Sequence, residues 1–190
     1  YTHNEENTFM GLSKIISGAV NGIDAYGVEI EVNLTYAGDP QIVIVGLPDA
    51  AVRESQYRVC SALTNCNFQA FNGRTVVNLA PADVRKEGPI FDLPIALGMI
   101  TTYLSDHLKK KKQEFKPQLA IEETAIIGEL SLSGEVRKVK GVLPIAIKLR
   151  EMGIKNFLVP KENASEAAVV KGINIYPVEH LVEALNILQG

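Results

Sequence analysis

The longest regular pattern in the chain is a strict alternation, in which Val28, Ile30, Val32 and Leu34 are separated by Glu29, Glu31 and Asn33. A period of two predicts a strand with one face on a core and the other in water. Ahead of it, residues 14–20 mix apolar and small polar positions and predict an edge strand. AGDP (37–40) is turn chemistry, and IVIV (42–45) is apolar on both faces, which predicts a strand lying deeper in the sheet. Together 28–34 and 42–45 read as an antiparallel hairpin. GLPD (46–49) ends the second strand and opens a helix, with Pro48 or Asp49 at its start. Val52, Val59, Cys60 and Leu63 mark the buried side of that helix, and Arg53, Glu54, Gln56 and Arg58 its polar remainder.

The centre of the pattern is residues 76–98, VVNLAPADVRKEGPIFDLPIALG. Val76, Val77 and Leu79 predict a short buried strand, 80–89 a polar loop, and Leu93, Ala96, Leu97 and Ile100 recur at helical spacing. Strand, exposed loop and helix in that order put loop atoms and a helix N-terminus at one edge of a sheet. Residues 105–117, with KKKK at 109–112 and no apolar period, predict a solvated loop. Strand character resumes at 124–130. Val142, Ile145, Ala146, Leu149 and Met152 then form a helical stripe from which Leu143 falls away. A short helix over 164–170, a strand over 172–177 and a helix over 179–188 close the chain, the last with Leu181, Val182, Leu185 and Leu188 facing inward.

Composition narrows the classes. A chain of 190 residues, 46% apolar, suffices for one domain with a packed core. The formal charge of -3 disfavours a dedicated nucleic-acid module, which carries a basic surplus, but leaves room for a local basic patch. Cys60 and Cys66 match no zinc spacing and read as two reduced thiols of a cytoplasmic protein. The longest apolar run, 90–100, is broken by Asp92 and Pro94 and is too short to span a membrane. Residues 1–9 are polar and patternless, without the regions of a signal peptide, and read as an extension or expression remnant ahead of a start at Met10. No GxxxxGK[ST] phosphate loop occurs.

GPIFDLPIALG preceded by NLAPADVRKE, together with VGLPDAAVRES, resembles the signatures of the Mg-chelatase-like competence proteins, the ComM/YifB family of bacterial AAA+ ATPases. The resemblance covers 10–190. It implies an α+β fold with a mixed sheet and packed helices, like the second domain of ribosomal protein S5 and the Lon protease domain. It further implies that this stretch is an accessory domain ahead of an ATPase module. That module would use ATP and Mg and assemble as a homo-hexamer, with a family role in DNA branch migration during natural transformation. More distantly, EGPIFDLPIA is similar to the loop of Lon-type proteases that carries the nucleophilic Ser, and GELSLSGEVRKVKGVLPIAIKLREMGIKNFLVPKEN to the stretch that carries their general-base Lys. Ile90 and Leu143 stand at those places. Neither hydrocarbon can attack a carbonyl or accept a proton, so the resemblance implies a degenerate dyad and a domain that is not itself an enzyme.

Three functional classes follow. The first is the non-catalytic accessory domain, aiding ring assembly or guiding DNA or a partner protein. Its candidate contacts are Arg74, Arg85, Lys86, Arg137, Lys138 and Lys140, with 85 and 137–140 close together if the Lon-like topology holds; the alternative is scattered solvated charge. The second is a peptidase whose dyad has moved, drawing on Ser131 or Ser133 with Lys86, Lys138 or Lys140. The third, metal binding, is disfavoured: His3, His107 and His180 are isolated, and Asp83, Glu87 and Asp92 are loosely spaced, Asp92 reading as the cap of the central helix.

Overall fold

A computed structural model of the chain describes residues 9–35, 41–68, 73–86 and 88–190. The predicted 37–40 turn, His3 and Glu87 lie outside the described residues. The alternating segment is strand β2 (Asp24–Thr35), and Val28, Ile30, Val32 and Leu34 are each no more than 1% exposed. Its hairpin partner is β1 (Phe9–Asn21), joined through the Gly22 turn in a register that sets Ser17 opposite Val28 and Asn21 opposite Asp24. Phe9 pairs with Thr35 at the far end of this ladder. β3 (Gln41–Val45), β4 (Arg74–Ala80), β5 (Thr124–Ile126), β8 (Asn156–Pro160) and β9 (Asn174–Val178) complete a seven-stranded sheet in the order β3-β4-β2-β1-β5-β8-β9. Between β5 and β8 the chain makes a separate ribbon, β6 (Glu129–Leu130) against β7 (Val136–Arg137).

This order corrects three expectations. The 14–20 segment is central, because β1 pairs with β2 on one side and β5 on the other. The serine that made it look like an edge is satisfied internally: buried Ser17 donates through Oγ to the Ile126 carbonyl at 2.7 Å. β2 and β3 do not form a hairpin, since β4 lies between them, antiparallel to β2 and parallel to β3. β3 is thus the edge strand, with Val45 48% exposed. An apolar run reports burial only when both faces are covered, and here the sheet ends.

Helix α1 (Asp49–Asn65) makes the crossover from β3 to β4, and α2 (Asp92–Lys110) packs across β1 and β2. α2 approaches so closely that a Cβ on Gly98 would lie 2.8 Å from Val32 Cγ2. It takes in residues 105–110, predicted as loop, where an Asp106–Lys110 pair at 3.2 Å and basic residues in the last turn complement the helix dipole. α3 (Val142–Glu151) lies on the other side of the hairpin: a Cβ on Gly18 would meet Ile145, and one on Gly27 would meet Met152. Met152 itself is 48% exposed. α4 (Ala164–Ala167) is shorter than its predicted span, and α5 (Leu181–Gln189) buries Ala184 while leaving Val182 at the surface. On α1 the buried side is Ser55, Val59, Ala62 and Leu63, whereas Cys60 is exposed.

Every strand of the large sheet except β2 runs in one direction. Their carboxyl ends, and the N-termini of α1, α2 and α3, therefore gather at a single edge with the β1–β2 turn. Both signature loops lie on it.

Candidate functional site

The loop after β4 leads through a short 3-10 turn (Pro89–Phe91) into α2. Ile90 is 8% exposed and belongs to the core. Its carbonyl accepts from the Gly128 N–H at 2.9 Å, and the Gly128 carbonyl accepts from the Leu93 N–H at 3.0 Å. This clip joins the loop to the stretch after β5, and it needs glycine at 128: a Cβ there would stand 2.9 Å from Val136 and 3.2 Å from Leu93. Leu143 is the second residue of α3, half-buried against the core, with its N–H donating to Glu166 Oε1 at 3.1 Å. Hydrocarbon thus occupies both places that the Lon resemblance marked.

Next to Ile90 lies a polar centre that the sequence reading did not find. Asp92 is not a cap; the residue before α2 is Phe91 and no side chain caps the helix. The Asp92 carboxylate, fully buried, turns toward α1 and the ribbon. Its Oδ2 accepts from Arg58 Nε at 2.6 Å and the Leu130 N–H at 3.2 Å, and its Oδ1 from Ser55 Oγ at 2.9 Å and Arg58 Nη2 at 3.2 Å. Burial pushes this carboxyl above its ordinary 3.8, against the pull of Arg58, Leu130 and Ser55. For Arg58, burial works downward, but Asp92 first and then Glu129 and Glu54 hold the guanidinium above its ordinary value. The cluster ties α1, α2 and β6 into one unit. A usable signal was present: Ser55 and Arg58, three apart on α1, share a helix face with the apolar residues rather than opposing them.

The six basic candidates separate. Arg74 is exposed but stands at the start of β4, the opposite end of the strand from the loop that holds Arg85. Arg85 is exposed, its carbonyl accepting from Tyr26 Oη. Lys86 is 2% exposed and donates its amine to the Pro81 carbonyl and, at 2.9 Å, to that of Val84. Burial presses that amine below its ordinary 10.5, against the field of Asp83. Lys86 is thus a clasp of its own loop. Arg137, Lys138 and Lys140 are exposed on the run into α3, which the Asn163 amide holds at both backbone groups of Val139, each at 2.9 Å. Arg85 is anchored to Tyr26, and the run ends at Gly141 against Val20. These contacts fall on opposite faces of the β1–β2 hairpin, because Tyr26 pairs with Ala19, the neighbour of Val20. The two basic segments share an edge with the hairpin between them.

Ser131 and Ser133 serve the ribbon's turn: Ser131 Oγ accepts from the Glu135 N–H at 2.9 Å and meets Ser133 Oγ at 3.2 Å. His107 stacks on Tyr103, and His180 caps α5 by accepting the Val182 N–H on Nδ1 at 3.1 Å. Among the described residues no group of three or more His, Cys, Asp or Glu side chains could hold a metal ion. No helix among them is long and apolar enough to cross a membrane.

Cys60 and Cys66 are free thiols, one exposed and one half-buried, and partial desolvation by neighbouring protein atoms raises both above the ordinary 9.0. A raised thiol keeps its proton longer in the folded state. Its stabilising contribution is therefore full below the ordinary value and lost as the pH climbs through the folded one. Iodoacetamide alkylation of the folded chain should reach half its maximal rate at a higher pH than alkylation in urea. Coincident midpoints would show that neither thiol is held.

Residues 30–163 match the family model described as subunit ChlI of Mg-chelatase. Competence protein ComM of Haemophilus influenzae is 39% identical over 181 residues, 95% of this chain and 33% of that protein. YifB of Escherichia coli, an uncharacterized protein, is 33% identical over the same share of each. A Lon protease of Aster yellows witches'-broom phytoplasma is 24% identical over 186 residues, 89% of this chain and 22% of its own length. The chain spans about a third of the length of the ComM and YifB relatives.

Proposed function

The chain belongs to the Mg-chelatase subunit ChlI family, with competence protein ComM and YifB among its relatives, and on that premise we propose that it acts as a non-catalytic Lon-like accessory domain. Its work is to help assemble an ATPase ring or to guide DNA or a partner protein past one. The observation that carries this reading is the packing of Ile90 into the core at the place where a Lon-type protease keeps its nucleophile, with Leu143 at the place of the base. A hydroxyl attacks only when it can reach both a base and the substrate, and neither alkyl group supplies a proton or a lone pair. A serine-directed fluorophosphonate should leave the folded chain unlabelled. A covalent adduct that disappears in a single Ser→Ala variant would overturn the reading.

The guidance half of the proposal rests on the exposed cations Arg85, Arg137, Lys138 and Lys140 along the carboxyl edge. Phosphate contacts release counterions, so binding should weaken steeply with salt. Arg85→Glu and Lys138→Glu should each weaken binding of the chain to a DNA duplex and flatten the log-affinity against log-salt slope by about 1. Arg74→Glu, at the far end of β4, should leave both unchanged. Equal effects from all three would replace an edge-specific contact with general attraction.

A further inference from the structure

Among the described residues the sheet ends at β3 on one side and β9 on the other, and the two edges are built differently. On the β9 side, Asn174 donates its N–H inward to the Lys155 carbonyl at 2.8 Å, so in the alternating ladder Ile175 and Pro177 turn their backbone groups outward. Proline has no N–H to offer there, and this edge is blunted. On the β3 side, Gln41 donates inward to the Gly73 carbonyl at 3.2 Å, so Ile42 and Ile44 face outward. Gln56 Nε2, from α1, reaches the Ile42 carbonyl at 2.6 Å, which confirms that direction and leaves that oxygen its second lone pair. No charge, proline or glycine interrupts Gln41–Val45, and four consecutive residues are β-branched. No hydrogen bond to the Ile44 backbone from outside the sheet occurs among the described residues.

We propose that β3 pairs with β3 of a second copy of this chain, antiparallel about a two-fold axis through Val43. In that register Ile42 of each copy faces Ile44 of the other, both with outward backbone groups. The two facing pairs exchange main-chain hydrogen bonds, while Val43 meets Val43 of the second copy at a non-bonded position. The outward residues share one parity, so a register centred on Ile42 or Ile44 would align only one such pair. The facing side chains are apolar and carry no like charges to repel. Pro177 opposes the alternative: a β3-to-β9 contact is head to tail and would build a ring or an open filament from a blunted edge, whereas β3 on β3 closes after two copies. A five-residue strand buries little area, so this is a weak, concentration-dependent dimer.

The test is register-specific. Sedimentation of the chain over micromolar to roughly millimolar concentration should show reversible dimerisation, lost in Val43→Glu, which brings two carboxylates together at the axis while its circular dichroism stays that of the folded chain. In a Cys60→Ser/Cys66→Ser background, Val43→Cys should form a disulfide-linked dimer on mild oxidation. Opposed Cα atoms at such a position stand about 4.5 Å apart, within disulfide reach. Val45→Cys should not, because its counterpart lies beyond the axis opposite Gln41. A monomer at every concentration, a dimer unmoved by Val43→Glu, or equal cross-linking at 43 and 45 would each overturn the proposal.

Discussion

Arg58→Met is expected to lower the stability of the folded chain by about 3–5 kcal/mol, read from the urea midpoint at neutral pH. The loss is large because the variant strands a carboxylate, not because the pair is strongly stabilising. Asp92 is fully buried and keeps only Ser55 and the Leu130 N–H once the guanidinium is gone. Burial already holds its carboxyl above 3.8. The sign follows: Asp92 contributes most at pH below the ordinary carboxylate value, and the contribution fades as the pH rises through the folded one. Losing Arg58 should extend that loss to higher pH. Asp92→Leu added to Arg58→Met removes the stranded charge with similar volume, and should recover most of the stability. A double variant no more stable than Arg58→Met alone would show that the cluster's packing, rather than its charge, carries the effect.

Phe91→Ala should cost a comparable amount, about 3–5 kcal/mol by the same measurement. Phe91 is fully buried between Ile90 and Asp92 in the turn that enters α2, so truncation leaves a cavity where that turn packs on α2 and β6. Ile90→Val, removing one methylene at the same place, should cost only about 0.5–1.5 kcal/mol. The contrast distinguishes a packed plug from an open cleft. In a cleft lined for substrate, Phe91 would face water and its loss would cost under about 1 kcal/mol. A small loss for Phe91→Ala would count against the accessory-domain reading, because it would reopen room for a ligand beside the former nucleophile position.

Local pattern carried much of the fold. The alternation over 28–34, the strand, loop and helix over 76–100, and the stripe from Val142 to Leu149 all appear where the spacing predicts, since each is set by which side chains must leave water. Where one face was polar for tertiary reasons, the pattern misled. Ser17 hides a central strand behind an edge-like composition, because its hydroxyl bonds a carbonyl on a neighbouring strand. Lys86 looked like a free cation in a polar loop, yet two carbonyls of that loop fold around its amine. Asp92 looked like a cap, because residues 34 and 37 positions away supply its partners.

The sequence by itself determined most of the strands and helices, the family, and the hydrocarbon identity of positions 90 and 143, because each is a property of neighbouring residues or of a motif; it did not show the last turns of α2 (105–110) or β8. Only the tertiary structure decided strand order, the solitary reversal of β2, the burial of Lys86 and the Arg58–Asp92 cluster. Those depend on contacts between distant segments, whose pairing is chosen by the joint packing of the whole sheet and its helices and leaves no trace in local periodicity.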